Sequence, residues 1–566
     1  MSEPLHPVLI FYFSALLISL FSSRKIVQLL VIIIPLFGLL NLYSLPDGSY
    51  HQFTLHGFHF LALNIDPLSR IFAYIFHIAV CITLIYTTAF DDTSKLAFGF
   101  FYAGSALGVV FAGDFLTFYI FWELLTLSAV AILLKRKTDR AARAGIHYLL
   151  THVVGGLALL SGVILHYLDY GSLQMIRLSL SGTAEWLIFM GLGVMCAFPL
   201  LHCWLTDSYP EASISGTVFL SIFTTKSAVY SLARIFPGQS ELIWIGAVMT
   251  IFPIFYAVIE NDLRRVLSYS LINQVGFMVI GIGLGTYLSI NGAVAHVFTH
   301  ILYKSLLFMS IGAVMFRTGT ARATGLGGLA RSMPFTTACC IIGAASISAV
   351  PFFSGFASKS LVVSAAADGH HLALWLVLLF ASAGVFHHAG IKVPFFAFFS
   401  HDSGLRVKEA PLPMLAAMGI AAFLCVIIGV FPEYTLYPLL PYPVSYNPYT
   451  AAHIVSQFEL LSFAALAFTL LLLSGIYPAE MRATNLDFDW FYRKAASWLI
   501  VAAGVIVAAT SKLLELAGKM LVSVYHRLRT LPDYLVYTTG LKSTVRPIGE
   551  SLALALLFMT ALIFIM

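Results

Sequence analysis

Six ionisable side chains fall inside runs of the sequence that are otherwise apolar: Glu123, Lys226, His296, His300, Lys304 and Lys359. Glu123 sits in Asp114-FLTFYIFW-Glu123-LLTLSAVAILL, directly before Lys135-Arg136-Lys137. A charge at the centre of a bilayer costs on the order of 3 kcal/mol on insertion scales, so such a group is kept only where it faces a partner or a water path. His296, His300 and Lys304 recur every four residues and therefore share one helix face. Imidazoles exchange protons near neutral pH, and steps of one helical turn suit relay through water. The two histidines have no third ligand of carboxylate or thiolate type nearby, so no metal is expected. The chemistry these residues suggest is proton or ion movement, with no covalent catalysis and no cofactor.

A second set has weaker support as a relay. Asp114 is a possible relay residue; His202 and Asp207 lie near the end of an interrupted span, where capping or gating is equally compatible with their types, and His147 and His152 fit packing as well as relay. His387, His388 and Lys392 sit mid-run and extend the line of titratable groups.

The elements that must hold these residues are membrane helices. Of 566 residues, 60% are hydrophobic and only 10% charged, with mean hydropathy +0.91; a soluble protein has about 25% charged residues. Apolar runs long enough to span the hydrocarbon recur along the chain, and their continuity selects helices over a barrel. The reading is an all-α polytopic protein with about 15 spans before residue 477 and a last one at 548–566. The run 334–368 is broken by Pro351 and Gly355, and 184–204 by Pro199. Each interrupted segment is followed by a span with a lysine, 213–236 with Lys226 and 372–399 with Lys392, as in transporter folds built from inverted repeats. The expected divisions are 1–96, 97–236 and 242–399 (two repeats), 400–476, and an extension 477–566 with a lateral amphipathic segment at 495–530.

Basic residues cluster in alternate loops: Arg24-Lys25, Lys135 to Arg143, Arg264-Arg265, Arg317 to Arg331, Arg406 to Lys408 and Arg482 to Lys494. The opposite loops, 45–65, 169–183, 237–241 and 432–454, are nearly free of them. The positive-inside rule makes the basic side cytoplasmic and the N-terminus external, in a plasma (inner) membrane. The net charge of +5 is thus a topology signal, and no nucleic-acid partner is expected. The six cysteines lie in apolar runs without disulfide or metal spacing. The N-terminal residues carry no basic region or cleavage site, so no removable signal peptide is expected.

Several motifs together resemble the antiporter-like subunits of respiratory complex I and of Mrp-type multisubunit cation/proton antiporters, most closely the Mrp D-type subunit. They are Phe-Trp-Glu123-Leu-Leu-Thr-Leu, His202-Cys-Trp204-Leu-Thr-Asp207, Thr-Lys226-Ser-Ala-Val-Tyr-Ser-Leu-Ala-Arg234, Asp262-Leu-Arg-Arg-Val-Leu-Ser-Tyr-Ser270, His296-x3-His300-x3-Lys304 and Ser-Gly-Phe-Ala-Ser-Lys359. The resemblance implies about fourteen core helices in two inverted five-helix repeats, each with a broken helix, and a C-terminal lateral helix with a terminal span. It makes Glu123 the glutamate of the fifth span, Lys226 the lysine of the eighth, Lys304 the bridging lysine, and Lys359 the lysine of the second broken helix. It further implies partners: other hydrophobic subunits, lipid, protons, and Na+ or K+. A respiratory oxidoreductase arm or a bicarbonate-uptake complex is the alternative setting, and an inert scaffold a third. One departure stands out. The family lysine on the first broken helix falls on Met195, so Glu123 lacks its usual partner, which argues against a complete two-half-channel pump.

Overall fold

The computed structural model describes residues 3–20, 24–90, 93–478, 480, 481 and 485–529. Among these, 12 helices are long and apolar enough to cross a membrane, and Pro7–Leu20, Thr183–Met195 and Pro334–Ile347 are shorter apolar helices. Residues Met1–Asn485 form one compact unit and Leu486–Met566 a second. In the second unit, Asp489–Arg529 is a single helix of 41 residues; it begins before the expected 495. The expected span 548–566 lies outside the described residues.

The two halves of the first unit repeat a local plan. Helices Asp139–Tyr170 and Tyr287–Thr318 are both 32 residues long, start behind Thr138 and Thr286 as side-chain caps, and stop at Gly171 and Gly319 in the left-handed region. Every residue of the first has a counterpart 148 positions on. Each is followed by a broken helix: Thr183–Met195 then Cys203–Ser208, and Pro334–Ile347 then Ser354–Asp368.

The breaks have the same backbone construction. Ala197 and Leu200 take φ of 61° and 72°, and Ala349 and Phe352 take 56° and 72°. Pro199 and Pro351 sit inside these turns. Phe198 donates back to the Gly193 carbonyl and Val350 to Ala345, each at 3.0 Å. A side-chain-bearing residue in the left-handed region costs free energy, so the surrounding packing must hold both turns in place.

Three details differ from the sequence expectation. Residues 48–65, read as part of a loop, form an antiparallel hairpin, Gly48–Leu55 paired with Phe58–Ile65. Its turn uses positive φ at His56 and Gly57 (50° and 83°), which suits a tight two-residue hairpin connection. The span 213–236 is two helices, Ile214–Ile222 and Thr224–Ile235, separated at Phe223. In 372–399 the chain passes through two π-helical turns, Phe386–Ile391 and Phe395–Phe399.

The first-half seam is packed through glycine. A Cβ on Gly191 would lie 2.8 Å from the Gly155 carbonyl, and one on Gly162 would lie 2.7 Å from the Ala184 carbonyl. Close backbone approach at small residues is how helices associate where lipid supplies no hydrophobic drive. Gly191→Val must push the two helices apart, and a loss of about 1–3 kcal/mol is expected from such overpacking. A lowered denaturation midpoint in detergent checks this; an unchanged midpoint contradicts the seam.

Candidate functional site

The helix Tyr287–Thr318 runs through the centre of the first unit and carries His296, His300 and Lys304, each fully buried. The imidazole centroids of His296 and His300 are 6.1 Å apart, and His300 lies 5.2 Å from the Tyr303 ring. The His296 Nδ1 meets the Ser358 hydroxyl at 3.0 Å. On the other ring nitrogen, Nε2 lies 3.3 Å from the Tyr303 hydroxyl, which donates to Gln274 Oε1 at 3.0 Å. Gln274 in turn donates to Asn273 at 2.5 Å, and Asn273 to the Thr250 carbonyl. Neither His300 nitrogen has a hydrogen-bond partner, although the ring is fully buried.

The lysines converge on this helix, and most are held by carbonyls that helix interruptions set free. Lys226 donates from Nζ to the Ser221 carbonyl at 2.7 Å, beside the break at Phe223, and to Thr225 Oγ1 at 3.2 Å. Lys359 donates to the Ile347 carbonyl at 2.7 Å, the last residue before the second break. Lys392 donates to the carbonyls of Ala257, Val258 and Glu260 at 3.2, 2.6 and 2.7 Å, closing the end of the helix Ser240–Ile259. Lys304 donates to the Leu267 carbonyl at 3.2 Å and Ser270 Oγ at 2.9 Å. The partial negative charge at a helix C-terminus favours a cation there.

Together these contacts form one cluster. His300 lies within electrostatic reach of Lys226, Lys304, Lys359 and His296. His388 is in reach of Lys304 on one side and of His387 and Lys392 on the other.

Glu123 stands apart. Its Oε1 is buried without a hydrogen-bond partner, and no basic side chain among the described residues forms an ion pair with it. It fills the notch left by Gly156, where a Cβ would collide with its carboxylate. In the repeat, Gly156 takes the place of Lys304 and His152 that of His300. Met195 is 1% exposed and supplies no charge.

Of the remaining candidates, Asp114 is occupied as a cap: it accepts from the backbone of Leu116, Thr117 and Leu61 at 2.8–2.9 Å and from Thr117 Oγ1 at 2.6 Å. A relay role for Asp114 does not fit that bonding. Asp207 pairs with Arg265 at 2.8 Å and with His147 at 3.4 Å, and His202 packs against the Phe252 ring. These lie at the end that carries the basic loops, outside the cluster.

Sequence reasoning did not single out Tyr303, Gln274, Asn273 or Ser358. The adjacent Asn-Gln pair inside an apolar helix was the available signal. It also passed over Asp66, which caps the helix Pro67–Thr87 in a box with Ser69 and receives Arg234, from the last turn of the Lys226 helix, through both guanidinium prongs.

The profile of the family described as NADH:quinone oxidoreductase/Mrp antiporter, transmembrane, matches residues 112–385, the stretch that holds Lys226, His296, His300, Lys304 and Lys359 but not His387, His388 or Lys392. The D-type subunit of the Na(+)/H(+) antiporter of Alkalihalophilus pseudofirmus is 30% identical over 342 residues, 55% of this chain and 69% of that protein. The chain belongs to this antiporter family. A second family relative, hydrogenase-4 component B of Escherichia coli K12, is 26% identical over 417 residues, 65% of this chain and 62% of its own. The chain spans about half the length of the first curated relatives it matches. The fold of this antiporter-like chain is shared with a component of the membrane-bound sulfane sulfur reductase, an archaeal respiratory membrane complex, at TM-score 0.72 and 24% identity over 98% of this chain and 99% of that one.

Burial opposes ionisation of Asp66, but the Arg234 pairing outweighs it and holds the carboxyl below the usual carboxylate range. The stabilisation is therefore complete above the ordinary range and is lost as pH falls through the lowered one. Asp66→Asn is expected to remove this acid-side loss and to lower stability near neutrality by about 2 kcal/mol, the scale of a charge-assisted pair. Thermal midpoints of the two proteins across acidic pH check this. Parallel curves contradict it.

Proposed function

We propose that this chain is the proton-carrying antiporter-like subunit of a multisubunit membrane complex that exchanges a monovalent cation, Na+ in the first instance, for protons. The observation that carries the reading is the fully buried group Lys226, His296, His300, Lys304 and Lys359. Five titratable side chains in mutual electrostatic reach, with no carboxylate among them, cannot all be charged at once. Loading one site changes the free energy of loading the next, which is the coupling a proton relay requires. Protons pass along Lys226, His300, Lys304 and Lys359, with His296, Tyr303 and Gln274 as the polar wall. Glu123 serves the first half without joining this line. The basic loops face the cytoplasm and the N-terminus faces out.

A second setting has its own support. The resemblance to the sulfane sulfur reductase component covers nearly the whole chain at the level of the fold, and hydrogenase-4 component B is a relative. In that setting a redox partner drives the same proton path. Proteins that co-purify with the chain separate the two: small hydrophobic partners alone for the antiporter, iron–sulfur or flavin proteins for the redox assembly.

In proteoliposomes holding the purified complex, Lys304→Met is expected to slow proton flux by roughly a hundredfold, the lower range for loss of a positioned proton-transfer group. Glu123→Gln is expected to slow it far less. Full flux in the Lys304 variant defeats the proposal, and equal losses in both variants place Glu123 back on the path.

A further inference from the structure

Beyond the lysine line lies a buried carboxylate that the path above does not use. Glu480 belongs to the segment after the helix Ala451–Leu473, outside the spans. Its side chain is 8% exposed and its Oε1 lies 2.9 Å from the ammonium of Lys392, which is 0% exposed. An ammonium has three N–H donors. The three of Lys392 face four acceptors, the carbonyls of Ala257, Val258 and Glu260 at 3.2, 2.6 and 2.7 Å and the Glu480 Oε1 at 2.9 Å. Glu480 thus competes with the carbonyls for the ammonium through Oε1, and its Oε2 is buried without a partner. A purely structural carboxylate is normally saturated with donors, because an unsatisfied buried one is costly.

The neighbours share this condition. The Tyr477 hydroxyl and His387 Nε2 are also buried without partners, and the two rings are 5.5 Å apart. On the outer side, Glu260 accepts from Asn485 at 3.2 Å and lies 3.9 Å from Arg265, which pairs with Asp207. The Arg265 and Asp207 side chains are 27% and 24% exposed. Charged and titratable groups therefore lie within electrostatic reach of one another from Lys304 through His388 and Lys392 to Glu480, and from there through Glu260 and Arg265 to a partly exposed surface. Burial pushes the Glu480 carboxyl above its ordinary range, and Lys392 opposes that push.

We propose that Glu480 is the carboxylate through which the buried lysine line exchanges protons with the end of the molecule that carries the basic loops. The Lys392 ammonium gives a proton to a Glu480 oxygen, which passes it to water on that side. Lys392 is reprotonated through His388 from Lys304. One N–H and one O–H bond exchange, and no other bond changes.

The inference rests on the proton-carrying reading, and the test separates the two. Complexes purified with their native subunits are reconstituted with a pH-sensitive dye inside the vesicles. Glu480→Gln is expected to slow proton flux at least about tenfold, toward the hundredfold that a positioned proton-transfer group supplies, and Glu480→Asp to restore most of it. The double variant Lys392→Met, Glu480→Leu replaces the pair with apolar groups of similar size. It is expected to assemble and remain slow, whereas a merely structural pair leaves it fast. Flux near wild type in Glu480→Gln or in the double variant, with Lys304→Met slow, overturns the role of Glu480 and leaves the relay standing. Flux near wild type in Lys304→Met overturns the relay itself. Should Glu480→Gln not assemble, the double variant decides.

Discussion

The interaction on which the structure turns is the buried ammonium held by carbonyls at a helix end. A helix that stops inside a membrane protein leaves carbonyls without partners, and lipid supplies none. A lysine that reaches those carbonyls answers two needs together: it satisfies the free acceptors and finds partial negative charge for its own cation. Lys226, Lys359 and Lys392 are all held in this way. Arg264 does the same near the first break, donating to the Tyr209 and Ala212 carbonyls at 3.2 and 2.8 Å. Dipoles, unlike a carboxylate, do not themselves titrate. Lys226 and Lys359, which form no ion pair among the described residues, can then change their charge without leaving a neighbouring full charge uncompensated, whereas Lys392 also has the Glu480 carboxylate beside it. The broken helices and the lysines are therefore one device rather than two.

Much of this was legible in the sequence. The length and continuity of the apolar runs fixed the fold class, and Pro199 and Pro351 marked the interruptions. The four-residue spacing of His296, His300 and Lys304 was enough to put them on one face. Other features were hidden for physical reasons. The hairpin at 48–65 carries His51, His56 and His59 among apolar residues and looks like a loop unless its alternation is weighed against its neighbours. The split at Phe223 leaves no proline or glycine behind, because Lys226 and the hydroxyls of Thr224 and Thr225 stabilise it instead. The role of Asp114 depends on which backbone it meets, and a carboxylate at a helix start reads the same whether it caps or relays. Glu480 was invisible because its partner, Lys392, lies far away in sequence.

The two halves show how one scaffold can be furnished differently. The backbone turns at 197–200 and 349–352 both take positive φ at their first and fourth residues, and the long helices match in length and capping. Yet where the second half has Lys304, the first has Gly156, and the carboxylate of Glu123 has moved into that space. Tyr148 occupies the place of His296; its hydroxyl meets Thr224 Oγ1 at 3.0 Å, and its ring stacks on His152 at 3.9 Å. The first half thus keeps the architecture of a polar passage while replacing most of its exchangeable groups with aromatic and glycine contacts.

That glycine seam has an electrical consequence. Moving one elementary charge down a 100 mV gradient releases about 2.3 kcal/mol, and any continuous wet thread through the protein would dissipate it as heat. Backbones in direct contact at Gly155 and Gly191, and at Gly162 and Ala184, leave no room for such a thread between these two helices. The seam between these two helices is in this sense electrically closed, and any conducting thread must run elsewhere in the chain.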